Sequence, residues 1–247
     1  MLNLIKPDWP APDNVHAYTT TRQGGYSEPP YDSFNIGDHT GDDPENVETN
    51  RQLLAEALDL PTPPIWLNQV HGNKVICIDS PPLSLVADGS FARTPKKVCV
   101  VMTADCLPLL VTNHTGTLVA ALHVGWRGLA RGVIEEGFKI LQRFEQDLLV
   151  WLGPAISQQA FEVGSEVREE FLTVDADTTV AFIPSPSGRW LADIYELARI
   201  RLRKLGITAI YGGDFCTYTD SKRFFSYRRD SGKTGRMASL IWFSPSP

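Results

Sequence analysis

The chain has 247 residues, 43% of them hydrophobic and 21% charged, with a formal net charge of −6. That apolar content can bury a sizeable core, and no charge block, low-complexity run or Ser/Gly linker divides the chain, so a single domain over residues 1–247 is expected. The acidic balance argues against a nucleic-acid surface, which draws on an excess of basic residues, and no apolar run approaches the roughly 20 residues of a membrane span.

Asp43-Pro44 is a helix start, with Asp43 as cap and Pro44 in the first turn, and Val47, Leu54 and Leu58 form part of an apolar stripe running to Leu58. Ile65 to Val70 is strand-like and ends at His71, before the turn residues Gly72-Asn73. Leu107 to Thr112 and Thr117 to Val124 are apolar, strand-like runs separated by Asn113-His114-Thr115-Gly116, which predicts a β-hairpin. A helix is expected after Gly128, burying Leu129, Val133, Leu141 and Phe144, followed by a strand over Leu148 to Leu152. Further helices are expected from Ser165 to Leu172 and from about Asp193 to Leu205, the second stopped by Gly206. Strands return at Ala209 to Tyr211, Phe224 to Tyr227 and Met237 to Phe243. The proline patches near Pro61, Pro81 and Pro184 read as loops. Strand pairs joined by turns and mixed with a few helices indicate an α+β fold.

Met1 to Pro12 lacks the charged-then-apolar layout of a signal peptide. The four cysteines are scattered, with no CxxC pair, which fits a reducing compartment rather than a disulfide framework. A cytoplasmic protein with no membrane partner is the expectation.

The hairpin carries the first chemical signal. If Thr112 pairs with Thr117, Cys106 falls opposite His123 on one face, with Cβ atoms about 5 Å apart. A thiolate and an imidazole at that separation can share one metal ion, given Zn–S of about 2.3 Å and Zn–N of about 2.0 Å. His71 would be the third ligand. Three protein ligands leave a fourth position open, which in zinc chemistry is the catalytic pattern. Two other readings stay open at this point: histidines that merely pack or cap beside a cysteine acting as a small hydrophobe, and a Cys106–His123 nucleophile pair.

Seven segments then make an ordered set: Thr20-Thr21-Arg22-Gln23-Gly24-Gly25, Tyr31-Asp32-Ser33-Phe34-Asn35-Ile36-Gly37, Gln69-Val70-His71-Gly72, Thr103-Ala104-Asp105-Cys106, His123-Val124-Gly125-Trp126-Arg127-Gly128, Trp151-Leu152-Gly153-Pro154-Ala155-Ile156 and Phe224-Phe225-Ser226-Tyr227-Arg228-Arg229-Asp230. With them the chain resembles, over nearly its whole length, the family historically named multicopper polyphenol oxidases or laccases. Its members are better understood as metal-dependent purine nucleoside phosphorylases with adenosine deaminase activity, and some bacterial ones are called peptidoglycan editing factors. The resemblance implies a compact α+β domain with mixed and antiparallel sheets flanked by helices, and a metal held by His71, Cys106 and His123. It also implies phosphorolysis of adenosine, inosine and 5'-methylthioadenosine to the free base and the (methylthio)ribose 1-phosphate.

Those activities suggest roles for further residues. Deamination needs a proton shuttle, for which Asp105 is the candidate; strand alternation would turn it away from Cys106 unless the strand has ended or bulged there, and a turn role competes. Phosphorolysis needs a phosphate site. Arg127, where a strand passes into a helix, is one candidate, and Arg22, Arg228 and Arg229 are others, each weighed against a structural ion pair. Asn35 and Gln69 could read purine or ribose edges, although buried amides more often satisfy backbone groups.

Zinc is the expected cofactor, with copper able to take the same ligands. Five histidines in total are too few for a multicopper oxidase, so oxidation of phenols would be a side activity of a copper-loaded site. Hydrolysis of misbuilt peptidoglycan precursors and a non-catalytic metal- or small-molecule-binding module are the remaining alternatives. The expected partners are purine nucleosides and phosphate, with monomer and homodimer both open.

Overall fold

A computed structural model of the chain describes residues 2–245. Its elements are β1 (Leu4–Ile5), β2 (Val15–Thr20), α1 (Pro44–Ala57), β3 (Val75–Cys77), β4 (Gly89–Ala92), β5 (Cys99–Thr103), β6 (Leu107–Asn113), β7 (Val119–Val124), α2 (Trp126–Ala130), α3 (Val133–Leu141), β8 (Leu148–Leu152), β9 (Glu162–Val163), α4 (Ser165–Val174), β10 (Phe182–Pro184), β11 (Trp190–Ala192), α5 (Ile194–Lys204), β12 (Ile210–Gly212) and β13 (Met237–Phe243).

Two sheets lie face to face. One is antiparallel in the order β1-β2-β13-β5, and the other has the order β12-β8-β6-β7-β4-β3, antiparallel except where β12 joins β8 and β3 joins β4. A small antiparallel sheet, β10-β11-β9, completes the set.

Side-chain alternation along the strands builds the layers. Cys99 and Val101 of β5, with Ile241 and Phe243 of β13, meet Leu110, Val119, Ala121 and Trp151 of the larger sheet. Their neighbours Val100, Met102, Leu240 and Trp242 face the other way, onto Phe34, Ile36 and Leu54 of α1. The far face of the larger sheet, including Leu107, Leu109, Leu122 and Val150, packs against Val133 and Phe138 of α3, Phe171 of α4 and Leu197 of α5. The order helix, sheet, sheet, helix covers both faces of each sheet, which explains why β6, β7 and β8 read as continuous apolar runs. This is the α+β arrangement of mixed and antiparallel sheets flanked by helices. None of the described helices is long and apolar enough to cross a membrane.

The capped helices form where expected. The Asp43 carboxylate accepts from the Glu45 N–H ahead of α1, and the Asp193 carboxylate accepts from the Glu196 N–H ahead of α5, which stops short of Gly206 at φ +81°. The helix expected after Gly128 begins earlier, at Trp126, and is broken into α2 and α3 by Gly132 at φ +84°. Phe144 lies beyond α3 and is 46% exposed, with the Arg93 guanidinium 4.2 Å from its ring centroid. Helix α4 runs on to Val174.

Two expected strands, Ile65 to Val70 and Phe224 to Tyr227, do not form. The first keeps only a lone parallel bridge between Asn68 and Val86, and elsewhere side chains have taken backbone groups that a ladder would use. The Val70 N–H goes to Asp88, the Phe225 N–H to the Met237 sulfur, and the Phe224 carbonyl accepts from Arg229. The hairpin forms, but pairs Thr112 with Val119 rather than Thr117. Asn113 is the cause: its Oδ1 accepts the N–H groups of Thr117 and Leu118, and its Nδ2 donates to the hydroxyls of Thr115 and Thr117, holding these residues out of the ladder. The shift is of two residues, so every side chain keeps its face.

Candidate active site

At the open end of the hairpin, Leu107 pairs with Val124. One step further, Cys106 stands across from Gly125, with His123 as its diagonal neighbour on the same face. A Cβ on Gly125 would lie 2.8 Å from His71 Cδ2 and 3.0 Å from Cys106 Sγ, so the glycine leaves the room in which these side chains meet. His71 Nε2 is 3.8 Å from Cys106 Sγ, and the His71 and His123 rings are 4.8 Å apart at 77°.

The ligand atoms of His71, Cys106 and His123 all lie within 4.8 Å of one another, and no other group of three such ligands occurs among the described residues. One thiolate and two imidazole nitrogens in that span fit a single zinc- or copper-sized ion, with coordination positions left for substrate.

Asp88, which no motif singles out, organises two of these ligands. It is fully buried at the entry to β4. Its Oδ1 accepts from His123 Nδ1 at 2.8 Å and from the His71 N–H at 2.9 Å, while Oδ2 accepts from the N–H groups of Gly72 at 2.7 Å and Val70 at 3.3 Å. Burial works to raise the Asp88 pKa, but the His123 ring and the backbone donors outweigh it and hold the carboxyl below its ordinary value. With Nδ1 bonded to Asp88, His123 turns Nε2 toward the thiol. Burial likewise opposes charge on Cys106 and His123, and their mutual attraction reverses it: the thiol comes down to about 6 and the imidazole goes up.

The cluster opens into a cavity of about 430 Å³ whose walls include His39, Phe161, Tyr227, Arg127, Arg228 and Arg236. Asp105 lies in the wall at φ +89°, between the end of β5 and the start of β6, so the strand has ended there and alternation no longer governs its direction. Its Oδ1 accepts from the Thr217 hydroxyl at 2.6 Å and its Oδ2 from the Arg228 N–H at 2.7 Å.

Gln69 also reaches the cavity, although its amide bonds both the N–H and the carbonyl of Met102. Arg127 lies over the Trp126 ring at 4.4 Å. Arg228 donates to the Glu162 carbonyl and lies 5.6 Å from the Phe161 ring.

Three candidates sit outside this cavity. Asn35 is fully buried, its Oδ1 accepting the Gly37 and Arg236 N–H groups and its Nδ2 donating to Gly37, Thr40 and Asp42. Arg22 pairs with Asp32 and lines a separate surface hollow. Arg229 pairs with Asp230 and donates to the carbonyls of Thr217, Tyr218 and Phe224. Sequence reasoning missed Arg236, whose guanidinium lies 5.6 Å from the Tyr227 ring in the cavity wall.

A family described as "Multi-copper polyphenol oxidoreductase laccase" matches residues 16–244. A protein of Escherichia coli called "Purine nucleoside phosphorylase YfiH" is 54% identical over 98% of this chain and 99% of its own length. A "Purine nucleoside phosphorylase" of Haemophilus influenzae is 50% identical over 98% of this chain and the whole of its own. Among solved structures, a Neisseria meningitidis protein is 46% identical with a TM-score of 0.93, covering 98% of this chain and 99% of the other. YlmD from Geobacillus stearothermophilus is 27% identical with a TM-score of 0.88, covering 98% and 96%.

Proposed function

The chain belongs to the multi-copper polyphenol oxidoreductase laccase family, and from that premise we propose that its His71–Cys106–His123 cavity is the active site of a metal-dependent purine nucleoside phosphorylase that also deaminates adenosine. The observation that carries this reading is the union, in one cavity, of an open three-ligand group with three arginines. The relatives named as purine nucleoside phosphorylases support it. The laccase label fits less well, because the chain has five histidines and a single three-ligand group among its described residues.

His71, Cys106 and His123 would hold the ion, with zinc the proposed metal; it would supply Lewis-acid polarisation and a lowered pKa for bound water. Arg127, Arg228 and Arg236 would bind phosphate, since guanidinium donors match its oxygens. Tyr227, exposed and in the wall of the same cavity, would be the aromatic surface for a purine. In phosphorolysis an oxygen of HPO₄²⁻ bonds to the anomeric carbon as the glycosidic C–N bond breaks, the electron pair leaves on the purine nitrogen, and the proton that the phosphate gives up ends on that nitrogen. Asp105 is the proposed proton shuttle for deamination and could carry the proton of phosphorolysis as well; each of its oxygens accepts one hydrogen bond from the described residues. All four cysteines are free thiols, which fits work in the reducing cytoplasm.

The test is to incubate zinc-loaded protein with adenosine, with and without phosphate, beside a Cys106→Ala control. Adenine and ribose 1-phosphate formed only with phosphate, or inosine formed without it, are expected and should be missing from the control. Failure to turn over adenosine, inosine and 5'-methylthioadenosine under either condition would overturn the reading. One alternative has an observation in its favour: the lowered Cys106 thiol beside His123 suits a cysteine hydrolase of peptidoglycan precursors. Such an enzyme would survive chelation and lose activity on thiol alkylation.

A further inference from the structure

We propose that Asp88 is the positioning residue of this metal site: one buried carboxylate that aims the ring of His123 and also fixes the backbone turn presenting His71. Among the described residues no lysine or arginine pairs with it; its partners are one imidazole and three consecutive backbone N–H groups. The charge of this buried carboxylate is therefore balanced by the imidazole and the backbone N–H groups of the His71 turn.

The two tasks meet at Oδ1, which bonds both the His123 ring and the His71 N–H. Through Oδ1, Asp88 accepts a hydrogen bond from the Nδ1–H of His123 and leaves Nε2 as the atom facing Cys106. Through Oδ1 and Oδ2 together it accepts from Val70, His71 and Gly72, spanning the turn in which His71 adopts φ +56°, a left-handed conformation uncommon outside glycine. Asp88 is itself held by the backbone. Its carbonyl accepts the His123 N–H at 2.7 Å, and its N–H donates to Lys74 at 2.9 Å. The next residue, Gly89, pairs with Leu122 of β7. Side chain and main chain therefore tie Asp88 to the strand that carries His123, and the side chain alone ties it to His71. Asp88 would act on metal binding, whatever reaction the site performs.

In the experiment, zinc affinity of Asp88→Asn is measured by competition with a chromophoric chelator, together with the absorption spectrum of the cobalt-substituted protein. Asparagine keeps the volume but accepts through one oxygen and sets an NH₂ against the backbone donors. Zinc affinity is expected to fall by about 10- to 100-fold, and the cobalt bands to shift. A folded variant with wild-type zinc affinity and an unchanged cobalt spectrum would overturn the proposal, even if its melting temperature had dropped. Should the variant fail to fold, ¹⁵N-edited imidazole spectra of the zinc-loaded wild-type protein decide. His123 is expected to carry its proton on Nδ1 with the metal on Nε2, and a metal-bound Nδ1 would refute the assignment.

Discussion

Gly125→Ala should separate the metal site from the stability of the fold. At φ −73° and ψ 158° the backbone accepts alanine without strain, and fewer unfolded conformations would by themselves stabilise the protein by about 0.4–1 kcal/mol. The added Cβ, however, would sit 2.8 Å from His71 Cδ2 and 3.0 Å from Cys106 Sγ. Carbon atoms prefer about 3.5–4.0 Å, so the His71 ring must retreat by about 0.7 Å or more. Overpacking of this kind costs about 1–3 kcal/mol, which leaves a net loss of up to about 2.6 kcal/mol after the unfolded-state gain. Metal–ligand distances tolerate only about 0.2 Å. We expect zinc affinity to fall at least tenfold, about 1.4 kcal/mol, while thermal melting of the metal-free protein stays cooperative and shifts by no more than about 10 °C. Chelator competition and calorimetry on the same samples read the two effects. A folded Gly125→Ala protein that binds zinc as tightly as wild type would refute the steric argument.

Iodoacetamide should modify Cys106 of the metal-free protein with a pH midpoint near 6, its reactivity falling as pH drops through that value, and zinc should protect it. Mass mapping distinguishes it from Cys99, whose thiol burial pushes up to about 12, and a midpoint near that of a free thiol would count against the thiolate–imidazolium pair. Tyr195→Phe should cost about 1–3 kcal/mol, because the Ala155 N–H and the carbonyls of Gly153 and Phe215 lose their common partner. A melting temperature within a degree of wild type would show that other groups replace the hydroxyl.

What the sequence discloses here depends on how far its interactions reach. The helix starts at Asp43 and Asp193 and the Asn113–Gly116 turn are local events, and each was readable from its own few residues. The approach of Cys106 to His123 followed from strand pattern joined to turn chemistry, and survived a misplaced register because the error was an even number of residues; His71 arrives from a segment that forms no strand, and only the family resemblance tied it to the other two. The two absent strands were misread because Asp88 and Arg229 bond their backbones from elsewhere in the chain. Asn35 shows the limit most clearly. Its segment marks the family, yet its amide is committed to a backbone N–H 201 positions away, a contact no pattern of neighbouring residues encodes.

β13 has a consequence for how the protein comes into being. It lies between β2 and β5, joining residues 15–19 to residues 99–103, although it is the last strand of the described chain. Until residues 237–243 leave the ribosome, both of those partners present open edges, the condition under which nascent chains pair wrongly with one another. The sheet must then close through contacts of very long sequence separation, which folds slowly. Cavity walls from His39 to Arg236 form with it. A molecule bound there therefore grips segments from both halves of the described chain: at a hundred times its dissociation constant it would add about 2.7 kcal/mol against unfolding, and it has no complete cavity to bind until residues 237–243 have joined the sheet.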